Sequence, residues 1–253
     1  MSFRYNISLK FYKSLSAVNN FFARKKINSR GISFYLYADN WITNFRAKTF
    51  NTKEIDTLNW IDNNLKDGDV LFDIGSNIGI YSIYAFKKNN NIKIFSFEPE
   101  YSNLDQLKKN IILNKAESVI VPYSLALGNV TDLSYLNLQD LTPGSALHTE
   151  SNNDINETKT NRKILFKEGI SCFKLDDFVE RTKIFPNLIK IDVDGNEINV
   201  LEGSKQTLKN KYLKTLLIEV DTKSDEEKIR KILNDSNFIF ISSNNENQIW
   251  SRE

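Results

Sequence analysis

The chain contains a single cysteine, Cys172, among 253 residues. One cysteine excludes an internal disulfide, and this sparse usage fits a reducing compartment. The sequence also lacks any run of 18 apolar residues, so we expect no membrane-spanning helix. The N-terminus lacks the continuous apolar core and small-residue cleavage site of a signal peptide. Together these absences predict a cytoplasmic protein.

Acidic residues are missing from the first 30 positions, which hold seven Lys and Arg residues. Because the whole chain has a net charge of +2, the remaining residues carry −5. Phosphate backbones need a basic field, so we expect no nucleic-acid partner for the larger, acidic part. The length suits one α/β domain with an appendage, and 40% hydrophobic residues suffice for a sizeable core.

Two phosphate-binding motifs are also absent. The apolar run at residues 70–72 is followed by Asp73, then Gly75 and Gly79, in the order strand, turn, helix. A dinucleotide site needs Gly-x-Gly-x-x-Gly, but the second position after Gly75 is Asn77. Asp73 would also repel a pyrophosphate, and no Gly-Lys-Ser/Thr of a P-loop is present.

The residues that are present suit S-adenosylmethionine, which has an ammonium, a sulfonium and a ribose diol but no phosphate. A second apolar run ends in Glu98, where an acid usually binds ribose hydroxyls. Gly75 permits close approach of a ligand, and Gly79 permits close packing of the new helix on the strand. We therefore predict a cofactor site of Asp73, Gly75, Asn77, Gly79 and Glu98. An NAD-like ligand and a degenerate site remain as alternatives.

Strand patterns, among them those at residues 118–127, 130–138 and 164–173, alternate with helix patterns from residue 51 onwards, which predicts a mostly parallel sheet covered on both faces. Residues 238–242 and 248–250 predict an antiparallel hairpin at its edge. The polar stretch 141–163 is expected to be a loop. We divide the chain into a helix and strand extension, 1–50, and a catalytic domain, 51–253.

The extension begins with a predicted helix over residues 5–24. One apolar face repeats at spacings of 4, 4, 3 and 4 residues, and it comprises Ile7, Phe11, Leu15, Val18 and Phe22. This face packs on the protein's own core, forms a homo-oligomer, or lies on an anionic membrane surface. The first interpretation is favoured, because apolar helical faces are usually buried against protein.

Candidate catalytic residues follow a later strand. Lys190, Asp192 and Asp194 alternate, so their side chains share a face. Asp192 lies at the carboxyl end, where it is placed to orient or deprotonate an acceptor, with Asp194 assisting. Alternatively, Asp194 caps the helix that starts near residue 197. Lys190 is costly to bury unpaired, and we expect Glu219 on a neighbouring strand to pair with it.

The only histidine, His148, lies in the polar loop and has the pKa range of a general base. The alternative is an exposed loop histidine without a role. Asp192, Asp194 and Glu219 carry oxygens suited to a divalent cation, but no ligand spacing demands one, so we predict no metal site.

Seven motifs then stand in order along the chain. They are Asp-Gly-Asp-Val-Leu-Phe-Asp-Ile-Gly-Ser-Asn-Ile-Gly (67–79), Phe-Glu-Pro (97–99), Ala-Leu-Gly-Asn (126–129), Lys-Leu-Asp-Asp-Phe (174–178), Ile-Lys-Ile-Asp-Val-Asp-Gly-Asn-Glu (189–197), Val-Leu-Glu-Gly (200–203) and Ile-Glu-Val (218–220). From about residue 50 to 245 the sequence resembles the FkbM family of S-adenosylmethionine-dependent methyltransferases. Asp194 stands where the family often has Glu, and Ser76 where it often has Ala. The first 30 residues lie outside the resemblance.

The resemblance implies a Rossmann-like methyltransferase fold with seven strands and methylation of a hydroxyl. We expect the acceptor to be a saccharide or glycoconjugate. The alternatives are O-methylation of a polyketide or other small molecule, and a non-catalytic binding module with a vestigial cofactor site. A nucleic-acid methyltransferase is disfavoured by the acidic charge and by the lack of an Asn-Pro-Pro-Tyr-type motif.

Overall fold

The computed structural model describes residues 3–146, 148–151, 163–220, 222–244 and 246–252. Helices within these ranges are α1 (Phe3–Phe22), α2 (Trp41–Thr49), α3 (Ile55–Asn64), α4 (Ile80–Lys88), α5 (Tyr101–Asn114), α6 (Leu175–Thr182), α7 (Glu197–Glu202), α8 (Lys205–Lys209) and α9 (Lys223–Asp235). Strands are β1 (Arg24–Ser29), β2 (Ile32–Tyr37), β3 (Val70–Ile74), β4 (Lys93–Phe97), β5 (Ile120–Tyr123), β6 (Ala126–Leu127), β7 (Asp132–Leu138), β8 (Thr149–Glu150), β9 (Phe166–Phe173), β10 (Leu188–Ile191), β11 (Thr215–Glu219), β12 (Ile239–Asn244) and β13 (Asn247–Ser251).

The main sheet has seven strands in the order β12-β13-β11-β10-β3-β4-β5. β13 is antiparallel to both of its neighbours, and the other neighbouring strands are parallel. This arrangement confirms the predicted fold class, including the antiparallel C-terminal hairpin. The chain runs outward from β3 to β4 and β5 and later returns to β10 on the other side of β3. Ligands of open α/β sheets bind at such a reversal, outside the carboxyl ends of the strands.

Both faces of the sheet are buried, which explains the continuous apolar runs of its strands. Successive side chains point to opposite faces, so Leu71 and Ile94 pack under α3, α4 and α5 in one cluster. Phe72 packs on the other face in a second cluster with the edges of Phe97 and Phe178 against its ring.

A second, four-stranded sheet has the order β6-β9-β7-β8. The strands predicted at residues 130–138 and 164–173 are present as the antiparallel pair β7 and β9. The single strand predicted for residues 118–127 is instead two strands, because the chain leaves the main sheet after Tyr123 and pairs with β9 from Ala126. This small sheet places Leu136 and Glu150 beside the carboxyl end of the main sheet.

The segment between the two sheets was predicted as a loop over residues 141–163. Residues 141–146 have no regular secondary structure, but hydrogen bonds described below hold them in place. Strand β8 follows at Thr149. Residue 147 and residues 152–162 lie outside the described part of the chain.

The predicted N-terminal strand is present as β2, and it pairs with β1 across a turn at Gly31. The helix predicted up to residue 24 ends at Phe22, because the chain enters β1. β2 contributes Phe34 and Leu36 to the first core cluster. Asn110 and Asn114 of α5 accept hydrogen bonds from its backbone. Packing is therefore continuous across residue 50, and the division there remains a prediction.

Helix α1 does not pack on this core. Phe11, Leu15, Val18 and Phe22 from its apolar face are 50–69% exposed. The favoured interpretation, burial of this face against the protein's own core, is therefore wrong. No helix among the described residues is long and apolar enough to cross a membrane.

Candidate active site

A cavity of about 400 Å³ opens at the carboxyl ends of β3, β4, β10 and β11. Its lining includes seven of the residues singled out from the sequence, namely Gly75, Asn77, Glu98, His148, Asp192, Asp194 and Glu219. Asp73 and Gly79 are not part of this lining. The fold thus brings together residues that were predicted from local strand and turn patterns and that are far apart in the sequence, such as Gly75 and Asp194, which are 119 positions apart.

The turn after β3 is pressed against the end of β10. Gly75 has φ +77°, and a Cβ there would lie 1.8 Å from the carbonyl oxygen of Asp192. A side chain at residue 75 is therefore excluded by both conformation and contact. At Gly79 a Cβ would lie 2.1 Å from Cδ1 of Leu107, so this glycine permits close packing against α5 rather than against the strand.

Glu98 follows β4 and has its carboxylate at the cavity wall. Its Oε2 accepts a hydrogen bond from the backbone N–H of Asn77 at 2.8 Å, and its Oε1 accepts one from that of Glu100 at 2.9 Å. Burial raises the pKa of Glu98 to about 8, although the two backbone donors act in the opposite direction. The site therefore holds an anchored carboxyl group that is ready to accept further hydrogen bonds when ionised.

Asn77 links the glycine turn to the segment 143–145. Its Nδ2 donates to the carbonyl oxygen of Ser145 at 2.7 Å, and Asn103 donates to the same oxygen at 3.2 Å. The N–H of Gly144 in turn donates to Asn103 Oδ1 at 2.7 Å, and Arg46 Nε donates to the Gly144 carbonyl at 2.7 Å. Segment 143–145 is thus held over one side of the cavity. Sequence reasoning missed Arg46 and Asn103, because single polar residues on helices carry no local signal.

His148 is only 8% exposed, so the alternative of an exposed loop histidine is wrong. Its Nε2 lies 3.1 Å from Ser145 Oγ, and that hydroxyl is itself placed to donate to the carbonyl of Asp140. This chain favours the tautomer with the proton on Nε2 and a lone pair on Nδ1. Nδ1 is buried and has no hydrogen-bond partner among the described residues. Burial lowers the pKa of His148, which favours the neutral ring.

Lys190 is buried at 3% exposure, and its Nζ lies 2.6 Å from Asp192 Oδ2. The predicted pairing of Lys190 with Glu219 is therefore wrong, because the lysine reaches along its own strand instead. Burial alone raises the pKa of Asp192, but Lys190 and a hydrogen bond with Glu219 hold it below its usual range. The charge of Asp192 together with burial raises the pKa of Glu219 well above its usual range. The two carboxyl groups consequently hold one proton between them at neutral pH.

Asp73 lies behind this group and is 1% exposed. Its Oδ2 accepts from Ser82 Oγ at 2.5 Å, while its Oδ1 has no hydrogen-bond partner among the described residues. Asp73 pairs in register with Lys190 on the neighbouring strand. Burial raises the pKa of Asp73, and the positive charge of Lys190 acts in the opposite direction. Asp73 therefore lies beside the charge of Lys190 on the neighbouring strand, and its direct contact with a cofactor remains a prediction.

Two further residues complete the surroundings of Lys190. Its Nζ lies 5.3 Å from the centre of the Tyr81 ring. Burial and the neighbouring Glu54 raise the pKa of Tyr81, and its hydroxyl is hydrogen-bonded to Glu54. Glu54 lines the cavity, so the buried charge network reaches the cavity from two directions.

Asp194 lies on the cavity wall in the left-handed conformation, with φ +55°. The alternative that it caps α7 is wrong, because the N-cap is Asn196. The turn is closed by Glu197, whose Oε1 accepts from the N–H groups of Val193 and Gly195 at 3.1 and 3.0 Å. In the described ranges, no group of three or more His, Cys, Asp or Glu side chains is arranged to hold a metal ion.

The sheet order is that of a Rossmann-like methyltransferase fold. Residues 73–240 match the sequence model of the methyltransferase FkbM domain, and the chain belongs to this family. It is 27% identical over 173 residues to hexuronic acid methyltransferase AglP of Haloferax volcanii, covering 68% of this chain and 64% of AglP. It is 28% identical over 160 residues to methyltransferase sdnD of Sordaria araneosa, covering 55% of this chain and 62% of sdnD. The matched region thus spans just under two thirds of either relative.

Two solved structures share the fold. Methyltransferase FkbM from Methylobacillus flagellatus superposes with a TM-score of 0.50 at 12% identity, covering 84% of this chain and 62% of that one. A SAM-dependent methyltransferase from Agrobacterium tumefaciens gives 0.51 at 10% identity, covering 91% and 70%. At such identities the likeness concerns the architecture alone.

Proposed function

We propose that this methyltransferase moves a methyl group from S-adenosylmethionine to a hydroxyl of a saccharide or glycoconjugate. The observation that carries the proposal is the position of the Glu98 carboxyl group. It is anchored at the wall of a cavity that the Gly75 turn and Asp192 also line. A carboxylate at the end of the second parallel strand is suited to accept hydrogen bonds from both hydroxyls of a ribose.

The cavity fits this cofactor in size and charge. A volume of about 400 Å³ is within the usual range for small-ligand sites. Seven acidic residues line it against two basic ones, and even with protons held on Glu98 and Glu219 the acids outnumber the bases, which suits a ligand with an ammonium and a sulfonium. The acids are Glu54, Glu98, Glu150, Asp192, Asp194, Glu219 and Glu246, and the bases are Arg46 and Lys53. When bound, the cofactor supplies an electrophilic methyl group on sulfur.

Asp192 is the residue that we assign to the acceptor hydroxyl. Its carboxylate is ionised at neutral pH because Lys190 lowers its pKa, so it accepts a hydrogen bond from the hydroxyl and orients the oxygen. The same low pKa makes Asp192 a weak base, so it orients the hydroxyl first and accepts the hydroxyl proton only as the oxygen gains the methyl group and becomes acidic. Glu219, hydrogen-bonded to Asp192, steadies that carboxylate, and Asp194 is a further contact for the acceptor.

His148 is a second candidate for the base. In the present geometry Nε2 is engaged by Ser145 and Nδ1 is shielded, so a catalytic role requires the ring to turn. Its contact with Ser145 supports a different task, because the carbonyl of that serine binds both Asn77 and Asn103. We assign His148 to holding this segment and rank it below Asp192 as a catalytic group.

A saccharide acceptor is supported by the lining and by one relative. Arg46, Lys53, Glu54, Asn196 and Glu246 give the cavity charged and amide groups that can bind a hydroxyl-rich molecule. AglP is described as acting on a hexuronic acid, which is a sugar. A hydroxyl of a polyketide or other small molecule is the alternative acceptor.

The proposal is tested by incubating the protein with methyl-labelled S-adenosylmethionine and fractionated saccharides, then identifying the labelled product. Label on a sugar oxygen, lost in Asp192→Asn, supports the proposal. Label only on non-carbohydrate molecules selects the alternative acceptor. Cofactor binding without transfer to any fraction, including a whole lysate, indicates a non-catalytic binding module.

A further inference from the structure

Helix α1 carries an exposed apolar stripe, which we define as Phe11, Leu15, Val18 and Phe22. At 100° per residue these four side chains fall within about 60° of one another around the helix. Tyr12 and Phe21 lie on either side of the stripe and are also exposed. An exposed helical face with this many apolar side chains is typical of a surface that binds another protein or a membrane.

The charge around the stripe has one sign. The first 30 residues hold seven Lys and Arg and no acid. Lys13 is exposed on the side of α1 away from the stripe, and Arg24, Lys25 and Lys26 are exposed on β1 directly after the helix. An apolar stripe flanked by aromatic rings and followed by bases is the pattern of helices that lie in the plane of a membrane surface.

We propose that α1 together with Arg24, Lys25 and Lys26 docks the protein on a bilayer that contains anionic lipid. The stripe enters the boundary between headgroups and acyl chains, and the bases contact lipid phosphates. The helix, of 20 residues, lies along the surface for about 30 Å. This inference concerns residues outside the cavity and does not depend on the proposed methyl transfer.

Charge decides between a bilayer and a second copy of the chain. α1 itself carries three bases and no acid, and Arg24, Lys25 and Lys26 follow it, so pairing of α1 with α1 brings together segments of like charge that repel each other. An anionic bilayer offers the opposite charge over its whole surface and an apolar layer beneath it. Of these two occupants only the bilayer matches both the stripe and the bases.

The test is co-sedimentation of the full chain with vesicles of phosphatidylcholine, with or without about 30% phosphatidylglycerol. We expect binding to the anionic vesicles, little binding to the neutral ones, and loss of binding as NaCl rises from about 0.05 to about 0.5 M. The double substitution Lys25→Glu and Lys26→Glu should weaken binding at least about tenfold. Lys205→Glu with Lys209→Glu, which changes the net charge equally at exposed positions on α8, should not.

A second pair of variants separates the stripe from charge alone. Phe11→Ser with Phe22→Ser should abolish sedimentation with anionic vesicles, while Leu133→Ser, an exposed apolar residue on β7, should leave it unchanged. Far-ultraviolet circular dichroism and melting temperature confirm that each variant is folded. Absence of wild-type binding at about 1 mM anionic lipid overturns the proposal, since such helices bind well below that. Undiminished binding of the Phe11 and Phe22 variant also overturns the proposal. A dimer of the wild type that forms without lipid in sedimentation velocity, and that is lost in this variant, overturns it as well.

Discussion

The ammonium of Lys190 lies 2.6 Å from the carboxylate of Asp192, which follows the end of β10 on the same face. This contact joins the buried interior to the cavity, since Lys190 is almost fully buried whereas Asp192 is on the cavity wall. Lys190 thus keeps the Asp192 carboxylate ionised and fixes its orientation.

Asp192→Asn should leave cofactor affinity nearly unchanged and lower turnover about 10²–10⁴-fold, because a positioned acid or base usually contributes that much. The change removes the charge that orients the acceptor but keeps the size of the side chain. Steady-state kinetics, cofactor titration and melting temperature on the same preparation measure the three effects. Asp105→Asn, on the exposed surface of α5, is the control and should keep full turnover. Near-normal turnover of Asp192→Asn with the true acceptor would remove Asp192 from the mechanism.

Lys190→Met should destabilise the fold by about 3–5 kcal/mol, because breaking a buried ion pair leaves uncompensated charge. The charge of this lysine acts on both Asp73 and Asp192. Urea unfolding measures the loss, with Lys93→Met at an exposed position of β4 as control. Combining Lys190→Met with Asp192→Asn should recover part of the stability. Full stability of the single variant contradicts the assigned network.

Glu219→Gln should make the fold relatively more stable as the pH rises. The folded-state pKa of Glu219 is raised, so between the unfolded and folded values the native state holds a proton that the unfolded state lacks. Stability of the wild type therefore falls as the pH rises through this window, and glutamine removes that loss. Urea unfolding at about pH 5, 7 and 9 gives the comparison, for which the reference pKa of glutamate is about 4.3. A pH-independent difference between variant and wild type contradicts a shared proton.

Cofactor binding should tighten as the pH rises through about 8, where burial places the pKa of Glu98. Only the ionised carboxyl group accepts hydrogen bonds from both ribose hydroxyls without first losing a proton. Titration at several pH values measures this dependence, and Glu98→Gln should flatten it relative to the wild type. Equal pH profiles for the two proteins would take Glu98 out of the cofactor site.

Gly75→Ala should destabilise the protein by about 2 kcal/mol or more, because a left-handed backbone and a direct clash act together. The added Cβ meets the Asp192 carbonyl at 1.8 Å, so the two strand ends must separate. Gly169→Ala on β9 is the matched control, since nothing lies within 4 Å of its added Cβ. We expect the control to melt close to the wild type. Similar melting temperatures for both variants contradict the close approach of the β3 turn to β10.

The sequence predicted those parts of the fold that depend on local pattern. The strand, glycine turn and helix at residues 70–88 and the acid at Glu98 were found because their signals lie within a few residues of each other. Asn103 and Arg46 were missed, because their hydrogen bonds join segments that are 41 and 98 residues apart. The predicted partner of Lys190 was wrong because a partner was expected on a neighbouring strand, whereas Asp192 lies only two positions further along the chain. Burial of α1 was wrong because periodicity shows which face is apolar but not what covers it.

Isothermal titration of the wild type and of Glu98→Ala with S-adenosylmethionine tests the central claim most directly, since it needs no knowledge of the acceptor. The account predicts saturable binding by the wild type with one site per chain. It predicts that Glu98→Ala binds more weakly by about 1.5–3 kcal/mol, the range for hydrogen bonds to a charged group. Circular dichroism establishes that the variant is folded. No heat of binding by the wild type at about millimolar cofactor, where even weak sites fill, would contradict the account.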